Sequence, residues 1–141
     1  MATGAELKAI SDIRLQEVKA LYNNGLYDGA KYLSGYVVES ALKARICKIL
    51  DQDYPEKNND LRSYLTHKFD VLIILAGLKN LFYNESNNNV NFKTNWSLVN
   101  DWKEFFRYQP VGTATQAEVR DVIIALEDPN DGILTWIKNK W

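Results

Sequence analysis

The sequence predicts an all-α domain, an up-and-down helical bundle of about five helices. Apolar residues recur at helical spacing through most of the 141 residues. Glycine, proline and asparagine clusters divide these residues into segments of helical length. No two alternating apolar runs are joined by a hairpin turn, so we expect no sheet. Together these observations predict a single helical domain over residues 1–141.

The first two predicted helices form an antiparallel hairpin. The first covers about residues 5–22 and the second about residues 27–50, which carry a wide apolar stripe. Gly25 between them supplies a left-handed stop. Gly29 and Gly35 each cost about 1 kcal/mol in a helix interior. We therefore expect the backbone of a neighbouring helix to approach them closely.

The second half of the chain is predicted to hold three more helices. A third helix should cover residues 68–82 and a fourth residues 95–107, with an exposed asparagine-rich loop at 84–91 between them. A capping-box pattern at Thr115 opens the last helix. Pro129 should break or kink that helix before a final helical segment.

Composition places the chain among ordinary globular proteins. Hydrophobic residues make up 46% and charged residues 25% of the sequence. The formal net charge of −1 means that any nucleic-acid contact must come from a local patch. The single cysteine, Cys47, has no partner for an internal disulfide. No signal peptide and no apolar run of about 20 residues is recognisable, so we expect a soluble cytoplasmic protein without a membrane partner.

No sequence signature of catalysis stands out. The chain has no glycine-rich phosphate loop, no paired Cys-x-x-Cys and no nucleophile elbow. One histidine, His67, is too few for a histidine-rich metal site within one subunit. We therefore expect no metal and no cofactor.

The second helix mixes charged residues into an apolar stripe. Glu39 and Lys43 are four residues apart, in the order that favours an ion pair. Arg45 falls between Val38 and Ala41 in angle around the helix. Its guanidinium can either lie in water over a packed stem or point into a groove to meet a phosphate or carboxylate.

Three segments of the chain resemble HEPN domains, a family of helical nucleotide-binding domains. The first resemblance is Asn24-Gly-Leu-Tyr-Asp-Gly-Ala30 followed by Gly35-Tyr-Val-Val-Glu-Ser-Ala-Leu-Lys-Ala44. The second is His67 at the start of a leucine-rich helix, and the third is the pair Arg107-Tyr108. The pieces occur in the family's order and span residues 23–136.

The resemblance implies a bundle of four or five helices that often forms a twofold homodimer. It also implies a minimal nucleotidyltransferase partner, encoded nearby in a toxin–antitoxin-like pair. Some members of the family are metal-independent ribonucleases with an Arg, a polar residue and a His at short spacing. Arg62-Ser-Tyr-Leu-Thr-His67 matches that spacing, although the family's motif lies on a later helix. Residues five apart on a continuous helix point about 140° from each other, so only a bent segment brings Arg62 and His67 together.

The leading hypothesis is a non-catalytic HEPN-type domain that binds a partner protein and a nucleotide or RNA, but not DNA. Its candidate contact residues are Lys43, Arg45, Arg62, His67, Arg107 and Tyr108. One alternative is a metal-independent ribonuclease that uses Arg62 and His67, in which the imidazole moves a ribose 2′-hydroxyl proton. Another alternative is a structural helical oligomerisation module.

Overall fold

A computed structural model describes residues 2–55 and 64–141. In these ranges it contains helices and no strand, which confirms the predicted all-α class. The described ranges contain seven α-helices and a 3₁₀ helix. They are α1 Gly4–Asn23, α2 Tyr27–Leu50, α3 Phe69–Leu75, α4 Lys79–Asn88, α5 Val90–Val99, the 3₁₀ helix Glu104–Tyr108, α6 Gln116–Glu127 and α7 Ile133–Lys138. None of the helices within these ranges combines the length and the apolar character that a membrane crossing needs.

Helices α1 and α2 form the predicted antiparallel hairpin. The side chain and backbone of Thr3 exchange hydrogen bonds with Glu6 in a capping box that starts α1. Gly25 in the turn adopts a left-handed φ of 75°, as its position predicts. The two helices are joined at their buried faces, where the Ser11 hydroxyl donates to the carbonyl of Val37 over 2.8 Å.

Helix α2 is the centre of the fold. It packs against α1, α3, α6, α7 and the 3₁₀ helix. Buried side chains therefore occur all around it rather than on one stripe, as expected of a helix enclosed by others. One of these buried side chains is charged, that of Glu39. The lone Cys47 is also buried, and burial raises the pKa of its thiol.

The predicted third helix is wrong, because residues 68–82 form two helices. Gly77 lies between α3 and α4 with a left-handed φ of 68°, and its amide donates to the carbonyl of Ile74. Helical spacing continues across this break, so the apolar pattern did not reveal it. Ile74, which the pattern places in the buried stripe, is more than half exposed.

The predicted loop at residues 84–91 and the predicted helix at 95–107 are also wrong. Helix α4 runs to Asn88, and Asn89 caps α5 by accepting a hydrogen bond from the amide of Phe92. The Asn89 amide group donates to both Glu85 and Asp131, which fixes this cap in place. Helix α5 starts earlier than predicted and ends at Val99, so residues 104–108 form a separate 3₁₀ helix.

The prediction of a break near Pro129 is confirmed. The hydroxyl of Thr115 accepts from the amide of Glu118 and so starts α6. Helix α6 ends at Glu127, before Asp128 and Pro129. The Asp128 carboxylate accepts the amides of residues 130 and 131 in a tight turn, and α7 follows.

Candidate functional site

A cleft in the described part of the chain lies between two segments beside the part of α2 that carries Glu39. It has a volume of about 640 Å³, which falls within the range typical of small-molecule sites. One wall is formed by residues 65–70, which lead into α3. The other wall is formed by Asn100 and residues 102–105, which lead into the 3₁₀ helix. We call this the His67 cleft after the imidazole in its first wall.

Trp102 fixes the second wall of the cleft against α2. Its indole NH donates to the carbonyl of Tyr32 over 2.8 Å, and its ring stacks on Phe69 at a centroid distance of 5.7 Å. The indole lies directly on Gly35, where an added Cβ would be 2.1 Å from the ring. The expected close approach at Gly35 therefore comes from a side chain rather than from a helix backbone. Gly29, by contrast, meets only a methyl group of Leu21 at 3.4 Å.

His67 lies between two carboxylates. Its Nδ1 is 2.9 Å from Oε2 of Glu39, and its Nε2 is 3.3 Å from Oε2 of Glu104. The His67 side chain is 44% exposed, so ligands in the cleft can reach it. A carboxylate at Nδ1 holds an imidazole in one orientation and directs Nε2 outward. In this protein Nε2 is directed at the Glu104 side of the cleft.

The Glu39 carboxylate is buried and carries a second partner. Nζ of Lys43 lies 2.8 Å from Oε1 of Glu39, so the pair predicted from the sequence is present. It is a buried pair rather than a surface pair, because the two side chains are only 15% and 7% exposed. The Lys43 ammonium also lies over the ring of Tyr54 at 4.9 Å. A buried carboxylate needs such partners, and these fix its position beside His67.

A tyrosine pair connects His67 with Arg107. The Tyr36 ring packs edge-on against both His67 and Trp102, and its hydroxyl oxygen is 3.0 Å from that of Tyr32. That hydrogen bond lowers the pKa of Tyr32, while burial raises the pKa of Tyr36. The Tyr32 hydroxyl near Arg107 raises the pKa of the guanidinium.

The structure brings together some of the residues singled out from the sequence. Lys43, His67 and Arg107 belong to one connected group of side chains around Glu39 and the tyrosine pair. Tyr108 joins it through the Arg107 guanidinium, which lies 4.7 Å from the centre of its ring.

The other two candidate residues do not join this group. Arg45 donates to the carbonyls of Ala76 and Lys140, so its guanidinium binds backbone oxygens of the protein itself. Arg62 lies outside the described residues.

Several residues of the site were not identified from the sequence as members of a site. Glu39 had been interpreted only as the partner of Lys43, and Glu104, Lys68, Lys103 and Phe105 had no assigned role. One signal in the sequence could have indicated the role of Glu39. It is a glutamate among the apolar residues of α2, and a carboxylate is rarely buried unless it is paired. Within the described residues no three acidic, histidine or cysteine side chains are placed to hold a metal ion.

Comparison of the chain with protein-family models, with curated proteins and with solved structures finds no match in any of the three.

Proposed function

We propose that the protein is a HEPN-type helical domain that binds a nucleotide or RNA in the His67 cleft without cleaving it. The observation that carries this proposal is the position of His67, held by Glu39 at the wall of a cleft. The cleft presents two exposed lysines among its lining residues, together with the carboxylates of Asp70 and Glu104. Lys68 lies in the same wall as His67, and Lys103 lies in the opposite wall. The ring of Phe105 lines the cleft beside Lys103.

These groups match the chemistry of a nucleotide. Ammonium groups and an imidazole NH donate to phosphate oxygens, and an exposed aromatic ring offers a face on which a base can stack. The overall charge of −1 supplies no long-range attraction, so binding depends on this local group of donors. An anionic ligand can also displace the exposed carboxylate of Glu104 from His67, since the two compete for the same Nε2.

The geometry supports binding better than catalysis. A general base needs a ring nitrogen that is free to take a proton from the substrate. Nε2 of His67 faces Glu104 at 3.3 Å, so either a phosphate or a substrate hydroxyl must first displace Glu104. Cleavage also needs a second group that donates a proton to the leaving oxygen, and the chain has only one histidine.

The ribonuclease alternative rests on one specific observation, the Glu39–His67 pair. A carboxylate that orients an imidazole is a recurring feature of general bases. The alternative predicts RNA cleavage that persists in a chelator.

The family resemblance adds two partners to the proposal. We propose a twofold homodimer and a minimal nucleotidyltransferase encoded nearby, in a cytoplasmic toxin–antitoxin-like pair. Exposed aromatic side chains such as Tyr83 are typical of interfaces, and a twofold dimer needs only one self-complementary patch. The remaining alternative, a structural oligomerisation module, predicts that neither nucleotide nor RNA binds.

The test is binding of AMP and of a labelled single-stranded RNA to the wild type and to two cleft variants. We expect His67→Ala and Lys103→Ala each to weaken RNA binding about tenfold, or about 1.4 kcal/mol, by removing a donor to phosphate. Loss of Lys103 should also reduce the salt dependence of binding by about one phosphate contact. Lys93→Ala is the matched control, because Lys93 is an exposed lysine on α5 that does not line the cleft.

Two results would overturn the proposal. One is that the wild type binds neither AMP nor RNA. The other is that His67→Ala and Lys103→Ala bind RNA as tightly as Lys93→Ala does. Circular dichroism of each variant checks that the helical fold is retained.

A further inference from the structure

The 3₁₀ helix next to the cleft has one face that contacts the bundle and another that is open to solvent. Side chains three residues apart in such a helix lie on the same side. Glu104 and Arg107 share the face that contacts the bundle, through His67 and Tyr32 respectively. Phe105 and Tyr108 share a face that is open to solvent, where their side chains are 56% and 76% exposed.

This open face, which we call the aromatic face, is formed by the rings of Phe105 and Tyr108 and continues the His67 cleft. Phe105 itself lines the cleft, so a ligand that leaves the cleft on this side reaches Tyr108 next. The ring of Tyr108 is backed by the Arg107 guanidinium at 4.7 Å. Arg107 also interacts with the Tyr32 hydroxyl on α2, which raises the pKa of the guanidinium.

The spacing of the two rings suits separated bases. One turn of a 3₁₀ helix advances by about 6 Å, whereas stacked bases in a strand are about 3.4 Å apart. Two consecutive bases that stack on the two rings must therefore be pulled apart from each other. A duplex keeps its bases stacked and cannot meet this spacing.

The charges around the aromatic face also match a nucleic-acid strand. Lys103 and Arg107 lie two residues before and two residues after Phe105, so cationic side chains stand on both sides of this ring in the sequence, with the acidic Glu104 between Lys103 and Phe105. A groove that combines phosphate-binding cations with exposed rings is the usual design of proteins that bind single strands.

We propose that the ligand is single-stranded RNA, with two consecutive unstacked bases on Phe105 and Tyr108 and the adjoining phosphates at Lys103, Arg107 and the His67 cleft. This inference rests on the proposed function and deepens it. It distinguishes a strand of several nucleotides from a mononucleotide, which occupies the cleft alone. It also gives the exposed rings a ligand that is not a protein.

The test compares an oligoadenylate of about eight nucleotides, the same strand annealed to its complement, and AMP. We expect the single strand to bind at least tenfold more tightly than either AMP or the duplex. Phe105→Ala and Tyr108→Ala should each weaken single-strand binding by about 5- to 150-fold. Tyr108→Ala should leave AMP binding within about twofold, because Tyr108 does not line the cleft.

Two further variants separate stacking from other effects. Tyr108→Phe keeps the ring and removes the hydroxyl, so it should bind the single strand like the wild type. Val111→Ala is the matched control, because Val111 is 99% exposed and apolar but carries no ring. Tyr108→Phe and Val111→Ala alter exposed side chains. We expect them, like Phe105→Ala and Tyr108→Ala, to keep the wild-type circular dichroism spectrum.

The outcomes distinguish this inference from the proposed function. Single-strand binding that is lost in His67→Ala but unchanged in Phe105→Ala and Tyr108→Ala would overturn the inference and leave the proposed function intact. Equal affinity for single strand and duplex would have the same consequence. Absence of all RNA and AMP binding would overturn both. If the aromatic variants lose a protein partner and not RNA, the aromatic face is a protein interface and the inference is wrong.

Discussion

At the residue scale, Gly35 determines how closely the Trp102 indole approaches α2. The indole occupies the space where any other residue would place its Cβ. It is also held by its bond to the Tyr32 carbonyl and by its stack on Phe69, so it has little freedom to move aside. Gly35 therefore allows the wall of the His67 cleft to form, at the expense of helix propensity in α2.

Gly35→Ala tests this role. We expect it to lower the free energy of unfolding by about 1–3 kcal/mol, because the new methyl group overlaps the indole. Gly29→Ala is the matched control on the same helix, where the new Cβ meets only Leu21 at 3.4 Å. It should be neutral or stabilise the protein by up to about 1 kcal/mol, since alanine favours helix. Urea denaturation of both variants measures the difference, and equal effects would contradict the role of Trp102.

The sequence could identify single site residues but not their partnerships. His67 was evident as the lone histidine, and Lys43 as the helical neighbour of Glu39. The contact between His67 and Glu39 joins residues 28 positions apart. It depends on how the segment before α3 crosses α2, which no local pattern specifies. Glu104 and Lys103 could not be assigned to a site for the same reason, since only tertiary packing brings Glu104 to His67 and Lys103 into the opposite wall of the cleft.

At the element scale, local signals predicted the boundaries that depend on backbone conformation. The glycine turn at Gly25, the Thr115 cap and the break at Pro129 are all present in the structure. The wrong predictions of helix boundaries also have a physical cause. Asparagine serves equally as a loop residue and as a helix cap, and Asn89 is a cap. Gly77 breaks a helix whose apolar spacing continues unchanged across it.

Another long-range contact fixes the segment between the aromatic face and α6. The Asp28 carboxylate at the start of α2 accepts the amides of Gly112 and Ala114 over 2.7 Å and 2.8 Å. These two bonds, the one to Ala114 first, lower the pKa of Asp28 below its ordinary value of 3.8. The folded state therefore favours the ionised carboxylate. Its contribution to stability is present above pH 3.8 and disappears as the pH falls through the lower pKa of the folded state.

Asp28→Asn should lower the thermal midpoint at neutral pH by a few degrees, because an amide oxygen replaces two acceptor oxygens with one. The difference from the wild type should shrink as the pH falls below 3.8, where the wild-type carboxylate becomes protonated as well. Asp101→Asn, at an exposed aspartate outside this contact, is the control. A midpoint difference that stays constant from neutral to acidic pH would show that the ionised carboxylate is not the anchor.

At the scale of the whole molecule, the sequence predicted the fold class and the need for a local group of cations if the protein binds a polyanion. A chain with a formal charge of −1 has to gather its cations locally to meet a polyanion. Lys68 and Lys103 are 35 positions apart in the sequence, and the fold places them in opposite walls of the His67 cleft. The net charge predicts that a local cationic patch is needed. The position of that patch depends on how the 3₁₀ helix packs beside α2, which the composition does not reveal.

Whether the protein can cleave RNA depends on how whole subunits assemble. Cleavage of RNA through a 2′-hydroxyl generally needs one group to remove a proton and another to donate one to the leaving oxygen. The chain has a single histidine, so two imidazoles can meet only if a twofold dimer brings His67 of one protomer near His67 of the partner subunit. Both Arg62 side chains would also have to lie beside the dimer axis to hold the phosphate.

We expect the dimer to place these residues away from its axis and the protein to leave RNA intact. The measurement is incubation of the wild type and of His67→Ala with a mixed RNA substrate in the presence of a chelator. Light scattering at tens of micromolar on the same samples establishes whether the homodimer is present. Cleavage by the wild type that disappears in His67→Ala would replace the binding function with a metal-independent ribonuclease. Since one subunit offers a single imidazole, we expect both proteins to show the same absence of cleavage.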